Sequence, residues 1–139
     1  MRTKRGFTVA VFALIVVFAI RNGMVSAHHS RAHYESDDKQ KTLKGTVAEY
    51  KWRNPHVFVV WSVKDDSGKV VEWTGELSSL TTSIADGLTK NSLKPGDEIT
   101  VLAIPSRAGT PEALIRKIIK ADGKVIVDLT RENIRASDR

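Results

Sequence analysis

The chain has 139 residues, with twenty-two Lys and Arg against sixteen Asp and Glu, and it contains no cysteine. This length fits one small domain with a single hydrophobic core and leaves no room for a second large one. Because thiol groups are absent, disulfide bonds and thiolate chemistry are excluded, so packing alone must stabilise the fold.

Residues 1–27 have the pattern of a secretory signal peptide. Arg2, Lys4 and Arg5 precede an uncharged run over residues 7–20, and the small residues Val-Ser-Ala end at Ala27, where a signal peptidase would cleave. The run is shorter than the roughly 20 apolar residues that a membrane-spanning helix needs. We therefore predict cleavage after Ala27 and a periplasmic or secreted protein with no stable membrane span after processing. The alternative is an uncleaved anchor.

Cleavage changes what the net charge of +6 implies. Four basic residues and no acidic ones lie in residues 1–27, so the mature chain of about 112 residues keeps eighteen bases against sixteen acids, a net charge of +2. The remaining positive side chains alternate with acids, as in Lys64-Asp65-Asp66. This pattern favours a solvated surface and indicates no nucleic-acid partner.

Residues 28–40 show no apolar periodicity, which predicts a flexible N-terminal leader before a single domain over residues 41–130 and a charged tail over residues 131–139. The first predicted strand covers residues 42–52. Its apolar positions Leu43, Val47 and Tyr50 alternate imperfectly, and Gly45 is the expected place for a bend or bulge.

The clearest secondary structure is a hairpin that follows Arg53-Asn54-Pro55, because proline interrupts the preceding strand. Residues 56–64 form an alternating strand, Asp65-Asp66-Ser67-Gly68 has the composition of a turn, and residues 69–77 return. One face of the hairpin is predicted to carry these apolar and small residues: Val57, Val59, Trp61, Val63, Val71, Trp73, Gly75 and Leu77.

Helical spacing appears next, over residues 78–90, with candidate N-cap hydroxyl groups at the start. Its predicted apolar face consists of Leu80, Ile84, Ala85 and Leu88. A Pro-Gly turn then leads into a strand over residues 98–105. Residues 112–120 have high helix propensity, but residues 121–127 look like the turn and second arm of a hairpin, so we predict a strand there.

Three strands, one short helix and two or three further strands indicate a mainly β fold. This order matches a small five- to six-stranded barrel of the oligonucleotide/oligosaccharide-binding type (OB-like), with the helix between strands three and four. Barrel closure also suits a second strand that is apolar on both faces. The alternative is an open sheet with one helix packed across it.

Six segments stand out beside these elements: Ala27-His28-His29-Ser30, residues 43–47, residues 52–57, residues 68–73, residues 92–97 and Ala121-Asp122-Gly123. Together they resemble the DUF6152 family, a domain-of-unknown-function family of small exported bacterial proteins. The fairly specific ones are the His-His-Ser start and the Trp-x-Asn-Pro-His element. The resemblance implies a secreted or periplasmic single domain, a small β-barrel and no established activity. Members tend to carry an apolar residue where this chain has Arg31.

Three of the four histidines cluster just after the predicted cleavage point. If His28 is the mature N-terminus, its amino group and imidazole can chelate one copper or zinc ion, because nitrogen ligands suit both metals. The second imidazole would come from His29, His33 or His56. For His56 the leader must double back along a strand of roughly 36 Å, whereas it reaches at most about 45 Å when extended. The alternative is that these histidines are tolerated in a flexible segment or cap a turn.

A second candidate site is the corner formed by Trp52, Asn54, Pro55 and His56. In OB-like barrels the loop between the first two strands borders the ligand face, and an exposed Trp beside Asn and His could stack on a sugar or another flat ligand. Trp52 could instead cover the end of the barrel. Trp61 and Trp73 are predicted core residues.

No nucleophile elbow, glycine-rich phosphate loop or His-Glu-x-x-His motif occurs, so we predict that the protein is not an enzyme. An acid/base pair of His56 with Glu49 or Glu72 would require the fold to bring them together. The favoured hypothesis is a non-enzymatic binding or accessory module for an unknown small ligand or envelope component. A copper or zinc protein built on His28 is the alternative, and a small hydrolase is the weakest.

Overall fold

The structure is a computed structural model, and it describes residues 31–130. The predicted signal peptide, His28, His29 and the charged tail over residues 131–139 lie outside the described residues.

Six strands form one sheet that closes on itself. Neighbouring strands follow the order β3-β2-β1-β4-β5-β6, and a parallel pairing of β3 with β5 closes a five-stranded barrel to which β6 is added. The OB-like topology and the short α-helix between β3 and β4 are therefore confirmed. The elements are β1 (Lys41–Lys51), β2 (His56–Lys64), β3 (Val70–Ser79), α1 (Leu80–Ala85), β4 (Glu98–Pro105), β5 (Glu112–Lys120) and β6 (Val125–Asp128).

The predicted inner face of the β2–β3 hairpin lines the core. Trp61 is fully buried and stacks on Trp73, with 6.3 Å between their ring centroids. Alternate residues of β2 point inward because successive side chains of a strand leave opposite faces. The buried inner residues of the hairpin are Val57, Val59, Trp61, Val63 and Leu77.

Two glycines let neighbouring backbones approach closely. A Cβ on Gly45 would lie 2.1 Å from the carbonyl oxygen of Ser62 in β2, and one on Gly75 would lie 2.5 Å from Cδ1 of Ile115 in β5. The bulge of β1 lies between Val47 and Glu49 and not at Gly45, where we predicted it. Gly45 is thus needed for strand contact and not for a bend.

The helix is shorter than the predicted span of residues 78–90. It begins after Ser79, whose hydroxyl accepts a hydrogen bond from the Thr82 amide, and Gly87 ends it with a φ of 83°. The Leu88 amide donates to the Ser83 carbonyl and the Gly87 amide to the Ile84 carbonyl, which is a Schellman C-cap. In this six-residue helix, Ile84 is 57% exposed, so its predicted place on the apolar face was wrong.

Residues Glu112–Lys120 form strand β5 as predicted, although their helix propensity is high. It pairs antiparallel with β4 and β6 and parallel with β3, and it buries Ala113, Ile115 and Ile118 in the core. These three pairings outweigh the local helix preference because propensity differences amount to only tenths of a kcal/mol per residue. Among the described residues, no helix is both long enough and apolar enough to cross a membrane.

The described part of the predicted leader folds back along the end of β4. It contains two 3-10 turns, Arg31–His33 and Asp37–Lys39, and Tyr34 forms a bridge with Ser106. The Glu35 amide donates to the Pro105 carbonyl at 3.0 Å. Arg31 is exposed and its guanidinium lies 2.8 Å from the Asp37 carboxylate. Flexibility over residues 28–40 stays a prediction.

Candidate functional site

The loop between β1 and β2 places the predicted binding corner at one end of the barrel. Trp52 is partly buried and packs on the core, with its ring 5.8 Å from that of Tyr50, whereas Asn54 and Pro55 are exposed and joined by a cis peptide bond. The Tyr50 hydroxyl donates to the Thr89 carbonyl at 3.3 Å, and burial raises the pKa of Tyr50 to about 12. The corner thus has an aromatic base and an exposed polar rim.

His56 shares the outer face of the barrel with Glu76. The β2–β3 register shifts from His56 opposite Ser79 to Phe58 opposite Glu76, so a bulge brings the two side chains together. Nδ1 of His56 contacts Oε1 of Glu76, and the side chains are 28% and 8% exposed. The histidine is therefore reachable from solvent while its carboxylate partner is buried.

The leader supplies another partner of this carboxylate. The Tyr34 hydroxyl donates to Oε2 of Glu76 at 2.8 Å, and Tyr34 itself is buried. Burial, followed by the hydrogen bond to Glu76 and its negative charge, raises the pKa of Tyr34 well above its usual value. The phenol stays protonated at physiological pH, so it holds the carboxylate as a donor.

This arrangement fixes how His56 meets a ligand. Because the lone pairs of two acceptors repel, we expect a proton between Nδ1 and the carboxylate. In the neutral imidazole the other nitrogen, Nε2, then carries a lone pair that can accept a hydrogen bond or bind a metal. Histidines that bind metals commonly have a carboxylate on their other ring nitrogen in this way.

The acids considered from sequence as partners of His56 are elsewhere. The Glu49 carboxylate lies 3.2 Å from the Lys51 ammonium, and Glu72 is exposed opposite Ser62. Glu76 was not singled out because it occupies an outward position of β3, which is usually solvated. The one available signal was Tyr34, the bulkiest apolar residue of an otherwise polar leader.

His33 takes part in a separate polar cluster at the start of β5. Its Nε2 lies 3.3 Å from Oε2 of Glu112 and 3.4 Å from Oγ of Ser106. The Thr110 hydroxyl donates to the same Glu112 oxygen at 2.9 Å. This hydrogen bond, followed by that of His33, lowers the pKa of Glu112. The cluster attaches the leader to the β4–β5 loop.

Of the four predicted metal ligands, the structure describes His33 and His56. His28 and His29 lie outside the described residues, and within residues 31–130 no group of three or more His, Cys, Asp or Glu side chains could hold a metal ion. His33 precedes Tyr34, whose hydroxyl reaches the carboxylate that contacts His56. The leader therefore does double back toward His56, as a shared site would require.

Comparison with known proteins places the chain at the family level. No curated protein and no solved structure matches it. The sequence profile described as "Family of unknown function (DUF6152)" matches residues 16–115, which is more than half of the chain. The chain belongs to the DUF6152 family of proteins of unknown function.

Proposed function

We propose that this protein is an exported, non-enzymatic binding module whose ligand site is the corner of Trp52, Asn54, Pro55 and His56. The partner would be a small ligand or a component of the cell envelope. The signal-peptide pattern of residues 1–27 supports export.

The observation that carries the proposal is the chain of contacts from His56 through Glu76 to Tyr34. A buried carboxylate held from two sides fixes the orientation of a partly exposed imidazole. A buried carboxylate must be well paired to be tolerated, so the burial of Glu76 costs free energy unless both His56 and Tyr34 are present. Such an arrangement is typical of a side chain that must meet a ligand in one orientation.

The composition of the corner indicates the kind of ligand. The Asn54 amide offers donors and an acceptor, Nε2 of His56 offers an acceptor, and the partly exposed Trp52 offers an indole edge and face. Polar groups beside an aromatic ring suit a sugar or another flat, hydroxylated molecule. We therefore expect glycan fragments of the envelope to bind better than apolar compounds.

The experiment is a titration of the exported protein with chitotriose and with a disaccharide muropeptide, followed by amide chemical shifts in NMR. We expect shifts concentrated at residues 52–56. Asn54→Ala should weaken binding about five-fold or more, since one hydrogen bond contributes about 1 kcal/mol. Asn91→Ala, at another exposed loop asparagine, is the matched control. Shifts away from the corner, no binding of either probe, or equal effects of the two variants would refute the proposal.

The geometry of the second histidine cluster supports a non-enzymatic role. Ser106, His33 and Glu112 are the residue types of a hydrolase triad, but a triad uses both ring nitrogens of its histidine, one for the serine and one for the acid. Here Ser106 and Glu112 both face Nε2 of His33. Ser106 is also buried and accepts a hydrogen bond from the Ala108 amide, which is a structural arrangement.

A second candidate function is copper or zinc binding through the amino group and imidazole of a mature N-terminal His28. The observation that favours it is the hydrogen bond from Tyr34 to Glu76, because Tyr34 lies only five residues after His29 in the leader. His56 already has the carboxylate support that metal-binding histidines commonly have. The ring nitrogens of His29, His33 or His56 are candidates for the second imidazole ligand.

Native mass spectrometry of the exported protein, with and without added Cu(II) or Zn(II), tests this candidate and the cleavage point together. We expect a mature mass beginning at His28 and binding of one ion. His28→Ala should abolish tight binding, and His56→Gln should weaken it if His56 completes the site. Unchanged affinity in His28→Ala, measured by calorimetry, would exclude the metal function and leave the glycan proposal standing.

A further inference from the structure

A groove of 550 Å³ lies where β1 leaves the β2–β3 hairpin, away from the His56 corner. Strand β1 pairs with β2 from Gly45 onward, whereas Lys41–Lys44 pair with β4. This divergence opens a space between the start of β1 and the turn end of the hairpin. Its volume falls within the range typical of small-molecule sites, about 300–1,000 Å³.

The floor of the groove is apolar and continuous with the core. Leu43, Val63, Val71 and Trp73 line it, and Leu43 and Trp73 also pack against the core cluster. Trp73 also stacks on the fully buried Trp61, so its ring is held in place. A ligand with an apolar body can therefore remove both its own surface and this floor from water.

Three ammonium groups surround the floor. Lys41, Lys44 and Lys64 line the groove and are exposed, and none has an ion-pair partner among residues 31–130. Other lysines of the barrel do have acidic partners. For example, the ammonium of Lys120 lies 2.8 Å from the Asp97 carboxylate.

The acids at this end of the barrel offset only part of this charge. Asp65 directs Oδ1 to the Ser67 hydroxyl and to the amides of Ser67 and Lys69, at 2.6 to 2.9 Å. These hydrogen bonds, first among them that of the Ser67 hydroxyl, lower the pKa of Asp65, so this carboxylate stays ionised while its Oδ1 is directed to the turn. The lining therefore holds three lysines against two aspartates, Asp65 and Asp66, a net charge of +1.

We propose that this groove binds an amphiphilic anion, a molecule with an apolar body and a single anionic head group. The body would lie on the floor made by Leu43 and Trp73, and the head group would face Lys44 and Lys64 at the rim. This site is separate from the corner at His56, so either site can exist without the other.

Calorimetric titration with decanoate and with decyl phosphate, below their micelle concentrations, tests the proposal. We expect both to bind and the affinity to fall by about four-fold for each methylene removed from the chain, as burial of a methylene predicts. Amide shifts in NMR should map to residues 41–44 and 63–66. Decyltrimethylammonium, which has the same apolar body and the opposite charge, should bind more weakly than either anion.

Charge-reversal variants complete the test. Lys44→Glu and Lys64→Glu should each weaken decanoate binding by about five-fold, the size expected for exposed ion pairs, and the loss should shrink at high salt. Lys90→Glu, at an exposed lysine outside the groove, should leave affinity unchanged. Equal binding of the cationic analogue, equal loss in the Lys90 variant, or absence of binding by both anions would overturn the proposal.

Discussion

At the scale of single residues, the candidate site depends on contacts between residues far apart in sequence. His56 was predictable from its place in Trp-x-Asn-Pro-His, whereas its partner Glu76, twenty positions later, was not. The two meet only because the bulge after His56 shifts the β2–β3 register. Tyr34 comes from a leader in which no periodicity predicted structure. Such contacts are set by register and chain reversal, which local patterns do not encode.

Tyr34→Phe tests whether the leader stabilises the barrel through Glu76. The variant removes the hydroxyl donor of a buried carboxylate, so we expect the free energy of unfolding to fall by about 1–3 kcal/mol. Urea denaturation measures this loss. Tyr50→Phe is the matched control, because its hydroxyl makes one longer hydrogen bond, 3.3 Å to a carbonyl, and should cost less than about 1 kcal/mol. Equal losses would mean that Tyr34 acts only by packing.

At the scale of elements, the alternation of apolar and polar residues predicted the strands reliably, whereas helical spacing did not predict the end of the helix. The β2–β3 hairpin was predictable because alternation and turn composition agree over many residues. The length of the helix was overestimated because Leu88, after Gly87, keeps helical spacing, although a left-handed glycine ends the helix there. Leu88 is buried as predicted, but as the second residue after the C-cap Asp86. Periodicity alone does not show where capping hydrogen bonds end a helix.

Two glycine-to-alanine variants test how closely the strands must approach. In Gly45→Ala the new methyl group meets the backbone oxygen of Ser62, so β1 itself must move. In Gly75→Ala it meets side-chain atoms of Ile115 and Trp61. We expect losses of about 1–3 kcal/mol for Gly75→Ala and more for Gly45→Ala. Urea denaturation ranks the two, with the exposed Thr46→Ala as control. The reverse order would contradict the model of strand contact.

The link between the turn before β4 and the end of β5 makes stability depend on pH. The Lys120 hydrogen bond is the largest cause of the lowered pKa of Asp97, and the Lys94 amide also lowers it. A carboxylate whose pKa is lower in the folded state stabilises the fold above its unfolded pKa of about 3.9, and this contribution is lost as pH falls through the folded pKa. Asp97→Asn should therefore lower Tm at pH 7 and much less near pH 3.

Thermal unfolding monitored by circular dichroism across this pH range measures the difference between the two proteins. Asp66→Asn, at an exposed aspartate of the hairpin turn, controls for the loss of one negative charge. A Tm difference that stays constant from pH 7 to pH 3 would show that Asp97 acts through its shape and not through its charge.

At the scale of the whole molecule, the order of elements along the sequence was enough to predict the barrel. Closure requires that β3 meet β5 and that β1 pair with β4 as well as with β2. The β3–β5 and β1–β4 pairings join residues distant in sequence. A sixth strand was left open in the prediction, and β6 is present with four residues. Each barrel strand pairs with two other barrel strands, whereas β6 pairs with β5 alone.

This asymmetry predicts how stability is distributed. Opening β6 breaks one pairing and leaves the barrel closed, so its hydrogen-bonded amides at Val125–Asp128 can exchange without global unfolding. Amides of β5 that bond to β3 or β4 should exchange only when the barrel opens. Hydrogen exchange followed by NMR should show β6 exchanging about ten-fold faster or more. Equal protection of β5 and β6 would mean that Val127, which is buried in the core cluster, makes the last strand part of the same cooperative unit.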